Sequence, residues 1–194
     1  MGMPLEKIVV AVNKNDILQR FFNNNDYSKS EVHETISPSM DISVASNFER
    51  LIYDFFLERD ENQCSKMYSD FPSKPIQMDE SIWKKSQDLF FSYTVNDEST
   101  FNCINKFSDQ YNYLMDPHTA VAAEAVLNNS NDLKNKTVIL STAHPAKFPN
   151  VFEKINKEIL HIPNSIRNVL HKKEIANKLN ASKKEIFSFI EQNN

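Results

Sequence analysis

Thr137-Val138-Ile139-Leu140-Ser141-Thr142-Ala143-His144-Pro145-Ala146-Lys147-Phe148 sets two hydroxyls, an imidazole and an amine directly behind an apolar run. Four apolar or β-branched residues in a row read as a short buried strand. Pro145 turns His144 away from helix and suits the first turn of a following helix. In an open α/β sheet the end of such a strand faces the ligand crevice, so Ser141 and Thr142 would present hydroxyls to a ligand there. An ordinary strand-to-helix turn would show the same pattern. A second stretch, Asp116-Pro117-His118-Thr119-Ala120-Val121-Ala122-Ala123, opens a helix with Asp as N-cap and Pro at the first helical position. It brings a carboxylate and an imidazole to one helix start. The five histidines of the chain have no metal-type spacing, and His144 reads as a turn histidine bonded to backbone.

Together these two stretches resemble the C-terminal part of threonine synthase. The resemblance extends to Glu6-Lys7-Ile8-Val9-Val10-Ala11-Val12-Asn13-Lys14-Asn15-Asp16, to Ser37-Pro38-Ser39-Met40-Asp41-Ile42 and to Ser46-Asn47-Phe48-Glu49-Arg50-Leu51. The blocks keep the family's order and run from near the start to about residue 160. The family uses pyridoxal phosphate to convert O-phosphohomoserine and water into threonine and phosphate. The resemblance therefore implies a lyase of threonine biosynthesis. It also implies an α/β fold, an incomplete three-layer parallel-sheet domain of the tryptophan synthase β-like (fold type II) enzymes. It assigns Thr142 as partner of the cofactor's ring nitrogen: a hydroxyl can hydrogen-bond that nitrogen without giving it a full proton. Asp116 and His118 would lie near the ring and shape its pocket, and base chemistry would fall mainly to a lysine and the substrate phosphate. The segment with Ser37 and Ser39 lies near the active site in the resembled family, which makes both candidates for substrate contact.

Glycine is almost absent, with Gly2 alone in 194 residues. Phosphate cradles use glycines so that backbone N–H groups can approach an anion closely, and no such loop is present. Nor is there a Phe-Lys-Asp type of segment, which carries the Schiff-base lysine in the resembled family. Both features lie upstream in that family, so the chain is expected to correspond to its C-terminal half. On its own it is expected to be inactive and to form no internal imine with pyridoxal phosphate. An N-terminal companion polypeptide is one way the site could be completed. A split gene, a frameshift and a truncation give the same sequence. Two rival readings follow: a binding or scaffold protein that kept the half-fold, and another lyase of this fold such as a threonine dehydratase-like enzyme.

The net charge of −4, from 22 basic and 26 acidic residues, argues against a nucleic-acid surface or a basic membrane patch. No apolar run has the length of a membrane helix and no signal peptide is recognisable. Cys64 and Cys103 lack a Cys-x-x-Cys partner and read as reduced thiols of a cytoplasmic protein.

Elements must position these residues. Residues 7–12, with the apolar run Ile8 to Val12, read as a central parallel strand buried on both faces. Asn13 and Asn15 would end it, either against a ligand or as turn and cap residues for a helix over 16–22. Residues 23–35 read as a mobile polar loop. Ser46 and Glu49 fit a capping box, behind which Phe48, Leu51, Ile52, Phe55 and Phe56 follow helical spacing. Asn47 and Arg50 fall on that first turn, where a substrate phosphate would be attracted, although an exposed arginine is the plainer account. A helical insertion is expected over about 47–112, all-helical from 58. The strand 137–141 should be followed by a helix to about residue 160 with Phe148, Val151, Phe152, Ile155 and Ile159 on one side. Two short amphipathic helices should then close the chain.

Overall fold

The computed structural model describes residues 4–129, 136–159 and 161–193. The chain divides into a unit up to residue 160 and a smaller unit from 161 onward.

The first unit is α/β. Strand β1, Ile8–Val12, pairs in parallel with β2, Phe90–Thr94, in the register Ile8↔Phe90 to Val12↔Thr94. Backbone bonds close both ends of the ladder, from Ile8 N–H to Leu89 O and from Val95 N–H to Val12 O. The segment expected to be all-helical thus contributes a strand. Its Phe-Phe-Ser-Tyr-Thr-Val run is β-branched and aromatic. Phe90 and Ser92 point inward, and the Ser92 hydroxyl donates to Val10 O at 2.9 Å, so its burial leaves no polar group unpaired. β1 is half-buried from Ile8 to Ala11, with Val12 alone fully buried, instead of covered on both faces. Among the described residues it has one strand neighbour, and a central strand needs two.

Between the strands run α1 (Ile17–Asn24), α2 (Phe48–Leu51), a π-helical continuation of α2 (Ile52–Phe56), α3 (Glu61–Asp70) and α4 (Glu80–Ser86). Their apolar faces meet in an aromatic core. Phe21 is fully buried and sits edge-on to Phe22, Tyr27, Phe48 and Phe56 at 4.9–6.2 Å between ring centres, a geometry in which ring edges meet negative ring faces. The capping box at Ser46 does not form. Asn47 is the N-cap without a side-chain bond, because Asn47 is already helical and Phe48 N–H is taken by Ala45 O in the preceding turn. The loop at 23–35 is tethered to the body of the first unit at Tyr27. Tyr27 bridges to Ile76 through both backbone groups, and its hydroxyl exchanges hydrogen bonds with Ala45.

Beyond β2, α5 (Asp97–Tyr111) and α6 (Pro117–Asn128) pack with α7 (Pro149–Lys154) around Cys103, Ile104, Ala120, Ala123, Val151 and Phe152. The small alanines let α6 approach its neighbours closely. Helix ends that would ordinarily use glycine use asparagine: Asn25 and Asn112 are left-handed C-caps at φ 55° and 50°, and Asn156 sits at φ 52°. Asparagine tolerates that region better than most other side chains do, which is how α1 and α5 end without glycine; Glu58 and Arg59 take positive φ after the π-helical turn.

The second unit holds α8 (Asn164–Arg167) and α9 (Lys183–Gln192) and buries no large side chain fully; Phe187 of α9 is exposed. Among the described residues no helix is long and apolar enough to cross a membrane.

Candidate functional site

The start of α6 gathers the polar side chains singled out from sequence. Asp116 is its N-cap, as the Asp-Pro pair predicts, and accepts from His118 N–H at 3.0 Å and Thr119 N–H at 3.4 Å. The same carboxylate accepts from His118 Nδ1 at 2.9 Å and from the Thr119 hydroxyl. Asp116 is almost wholly buried. Burial alone would raise its carboxyl, but the side-chain bonds from His118 and Thr119, with their backbone N–H groups, outweigh it and hold the carboxyl below its usual range.

These partners fix the histidine's state. Ser39 N–H donates to His118 Nε2 at 3.1 Å. An amide can only donate, so Nε2 is unprotonated and Nδ1 carries the proton it gives to Asp116. Both ring nitrogens are therefore occupied, and the ring offers no free lone pair to a reacting group. Phe148 covers it, 4.7 Å between ring centres. His118 is an aligning group joining the Ser37-Pro38-Ser39 turn to α6.

The second of the two expected strands, 137–141, does not form among the described residues. Residues 137–141 have no regular structure and no ladder bond among the described residues, and Val138 and Leu140 are 85% and 75% exposed. A strand needs a ladder partner for its N–H and C=O groups, and among the described residues none lies beside this one. Thr142 therefore does not end a buried strand. It is exposed, and its backbone N–H is held by the Thr119 hydroxyl at 3.1 Å. Its own hydroxyl makes no hydrogen bond among the described residues. His144 is half-buried and its Nδ1 accepts from Ala146 N–H at 3.1 Å, the backbone-bonded turn histidine expected. The helix that follows is broken into a 3-10 turn, Pro145–Lys147, and the short α7, though the apolar face from Phe148 to Ile159 packs as expected.

His118, Ser39 and Thr142 line one cavity of about 1260 Å³. Its other walls are the open side of β1 from Ile8 to Ala11, Met40, Ala122, Phe148 and the 136–140 segment. The remaining candidates stand apart. Asn13 and Ser37 are buried behind the Ser39 turn. Asn13 Nδ2 lies 2.7 Å from Asp41 Oδ1, 2.8 Å from Thr35 Oγ1 and 3.0 Å from Ser37 Oγ, and Asn15 also bonds Asp41. Asn13 is thus buried at the end of β1 with its side chain engaged by the 33–41 loop. This network anchors that loop to the end of β1. Asn47 and Arg50 are exposed on the first turn of α2 and are not among the residues lining the cavity. Sequence reasoning passed over Thr119 and Asp41. A threonine three residues after an N-cap Asp was the available signal for the first; nothing local marks the second. Among the described residues no group of His, Cys, Asp or Glu is placed to hold a metal.

Comparison with known proteins agrees with the resemblance read from the blocks. Residues 119–190 match the family model described as threonine synthase, C-terminal. The chain is 38% identical over 154 residues to threonine synthase of Pseudomonas aeruginosa, covering 79% of this chain and 33% of that protein. It is 36% identical over 165 residues to threonine synthase of Saccharomyces cerevisiae, covering 76% and 32%. It spans about a third of the length of these relatives. Its fold matches the crystal structure of pyridoxal-phosphate-bound threonine synthase from Brucella melitensis with a TM-score of 0.79 and 28% identity, over 99% of this chain and 41% of that one. The yeast threonine synthase structure matches with a TM-score of 0.73 and 32% identity, over 87% and 38%. In sequence and in fold the chain is similar to the C-terminal part of threonine synthases.

Proposed function

We propose that these residues form the C-terminal portion of a threonine synthase, a pyridoxal-phosphate lyase that converts O-phosphohomoserine and water to threonine and phosphate. The observation that carries the reading is the convergence of Ser39, His118 and Thr142 on one wall of the cavity, tied together through Asp116. The wall suits the ring end of the cofactor. Met40, Phe148 and the apolar side of β1 offer flat apolar contact, and Thr142 brings a hydroxyl with no hydrogen bond among the described residues. A hydroxyl donates to a ring nitrogen without protonating it, whereas a carboxylate partner would hold it charged. The bound cofactor supplies the electron sink for carbanion chemistry. This chain's residues orient the ring and exclude water: Thr142 at the nitrogen, with Asp116 and His118 shaping the pocket. Ser39 is the candidate for substrate contact, with Ser37, Asn13, Asn47 and Arg50 weaker ones on their positions.

These 194 residues contain no Phe-Lys-Asp type of segment and no glycine-rich loop that would supply the cofactor-anchoring lysine and the phosphate cradle. We assign both to sequence outside them, in the same polypeptide or in an N-terminal companion; the segment of about 47–112, mostly helical but carrying β2 of the sheet, belongs to this part. Cys64 and Cys103 are free and buried, which suits a reducing compartment, and we place the protein in the cytoplasm. The test is reconstitution. The purified chain is mixed with the complementary N-terminal part of the P. aeruginosa relative, and phosphate release from O-phosphohomoserine is measured with cofactor present. Turnover by the mixture, and by neither part alone, is expected. A mixture that associates, takes up cofactor and yet leaves O-phosphohomoserine intact while deaminating threonine would replace the reading with a dehydratase. Association without cofactor uptake would replace it with a scaffold.

A further inference from the structure

We infer that Thr119 is a positioning residue for Thr142: its hydroxyl, held by the Asp116 carboxylate, grips the Thr142 backbone N–H and so sets where the Thr142 side chain stands in the cavity. The inference rests on the reading of Thr142 as ring-nitrogen partner and deepens it. The direction of every bond in this relay is forced. A carboxylate can only accept, so the single Thr119 hydroxyl proton goes to Asp116 Oδ2. An amide N–H can only donate, so the hydroxyl's lone pair receives Thr142 N–H at 3.1 Å.

Nothing else described takes over this task. In a sheet, the ladder would aim residue 142, but residues 137–141 have no ladder partner among the described residues, and Val138, Leu140 and Thr142 are exposed. Thr119, by contrast, is 4% exposed on a 12-residue helix. Its β-branched side chain is restricted about χ1, and its hydroxyl is pinned by a buried carboxylate. A rigid group on α6 thus controls an irregular segment 23 residues away. The bond uses the backbone of residue 142, leaving the Thr142 hydroxyl for a ligand.

The first arm of the test needs this chain alone. Amide hydrogen exchange of the 15N-labelled protein is followed by NMR at Ser141, Thr142 and Ala143. Thr142 should exchange more slowly than its two neighbours. Thr119→Val keeps the shape and removes the hydroxyl, and should speed Thr142 exchange about tenfold, the loss expected for one net hydrogen bond. Thr119→Ser should restore it. Should Val unfold the chain, Thr119→Ala takes its place with the same expectation. Exchange at Thr142 that ignores these changes overturns the inference. The second arm uses the complex reconstituted with the N-terminal part, and reads cofactor affinity by absorbance titration. Thr119→Val should weaken it about five- to tenfold, Ser should rescue it, and the Thr119→Val, Thr142→Val double variant should be no weaker than Thr142→Val. Additive losses would show that Thr119 does not act through Thr142. Failure of the wild-type complex to take up cofactor would instead refute the functional reading, while the exchange arm still decides whether the tether exists.

Discussion

Replacing Asp116 by alanine should destabilise the first unit by about 2–4 kcal/mol, a sum of two losses. The first is the N-cap of α6, where removing an Asp cap costs about 1 kcal/mol. The second is a stranded buried donor. His118 Nδ1–H loses its acceptor, and the ring cannot escape by changing tautomer, since Nε2 would then present a proton to Ser39 N–H. One unsatisfied buried donor costs about 1–3 kcal/mol. The Thr119 hydroxyl can rotate, so no further loss is assigned to it. Asp116→Asn keeps the cap oxygen and should cost about 1 kcal/mol, the scale of one net hydrogen bond. The assay is urea denaturation followed by circular dichroism at pH 7 for the three proteins. A loss below about 0.5 kcal/mol for alanine, within the range of ordinary surface changes, would refute the burial and bonding described for Asp116. Equal losses for Ala and Asn would refute the role of the cap oxygen. The pH dependence gives an independent check. The carboxyl lies below its usual range in the folded chain because its hydrogen bonds outweigh burial. Its contribution is therefore fully present above the unfolded value of about 3.9 and is lost as pH falls through the folded one. The advantage of wild type over Asp116→Asn should hold from pH 7 to about 5 and shrink below about 4. An advantage that grows on acidification would reverse the sign and sink the assignment.

In the reconstituted complex, Thr142→Val should lower cofactor affinity roughly five- to a hundredfold, since a lost hydrogen bond with an unpaired acceptor costs about 1–3 kcal/mol; Thr142→Ser should restore most of it. Equal affinity for Val and wild type, with binding abolished by His144→Ala, would move the ring partner elsewhere. Tyr27→Phe should destabilise the chain by about 1–3 kcal/mol in urea melts, because Ala45 N–H and C=O both lose the buried hydroxyl that pairs them. No change would mean that water or another group takes its place. Burial pushes the Cys103 thiol up to about 12 and raises Cys64 as well, so neither should react with a disulfide reagent at pH 8 while the chain is folded. Both should react in denaturant, and rapid labelling of the native chain at either would contradict their burial.

Much of this protein is legible along the chain, and much is not, for one physical reason. Signals within a few residues of each other survive in the sequence. Asp116-Pro117 marked a helix start because a cap and its N–H groups are neighbours. The face of Phe48, Ile52 and Phe56 was visible because helical spacing repeats every three to four residues. The near absence of glycine told which phosphate chemistry these residues cannot provide, and the blocks at 6–16, 37–42, 46–51, 116–123 and 137–148 pointed to threonine synthase. What depends on a distant partner was decided in three dimensions. Phe90–Thr94 lies in a segment that reads as all-helical, and β1, from the start of the chain, gives it a ladder. Thr137 to Ser141 has the composition of a strand and is not one here, because composition cannot supply a partner for its backbone groups. Asn13 ends a strand as expected, yet only the fold brings Thr35, Ser37 and Asp41 around it. The site follows the same rule: Ser39 meets His118 across 79 residues, and Thr142 meets Thr119 across 23. Residue types chose the groups, and packing of α6 against two irregular segments chose which of them touch.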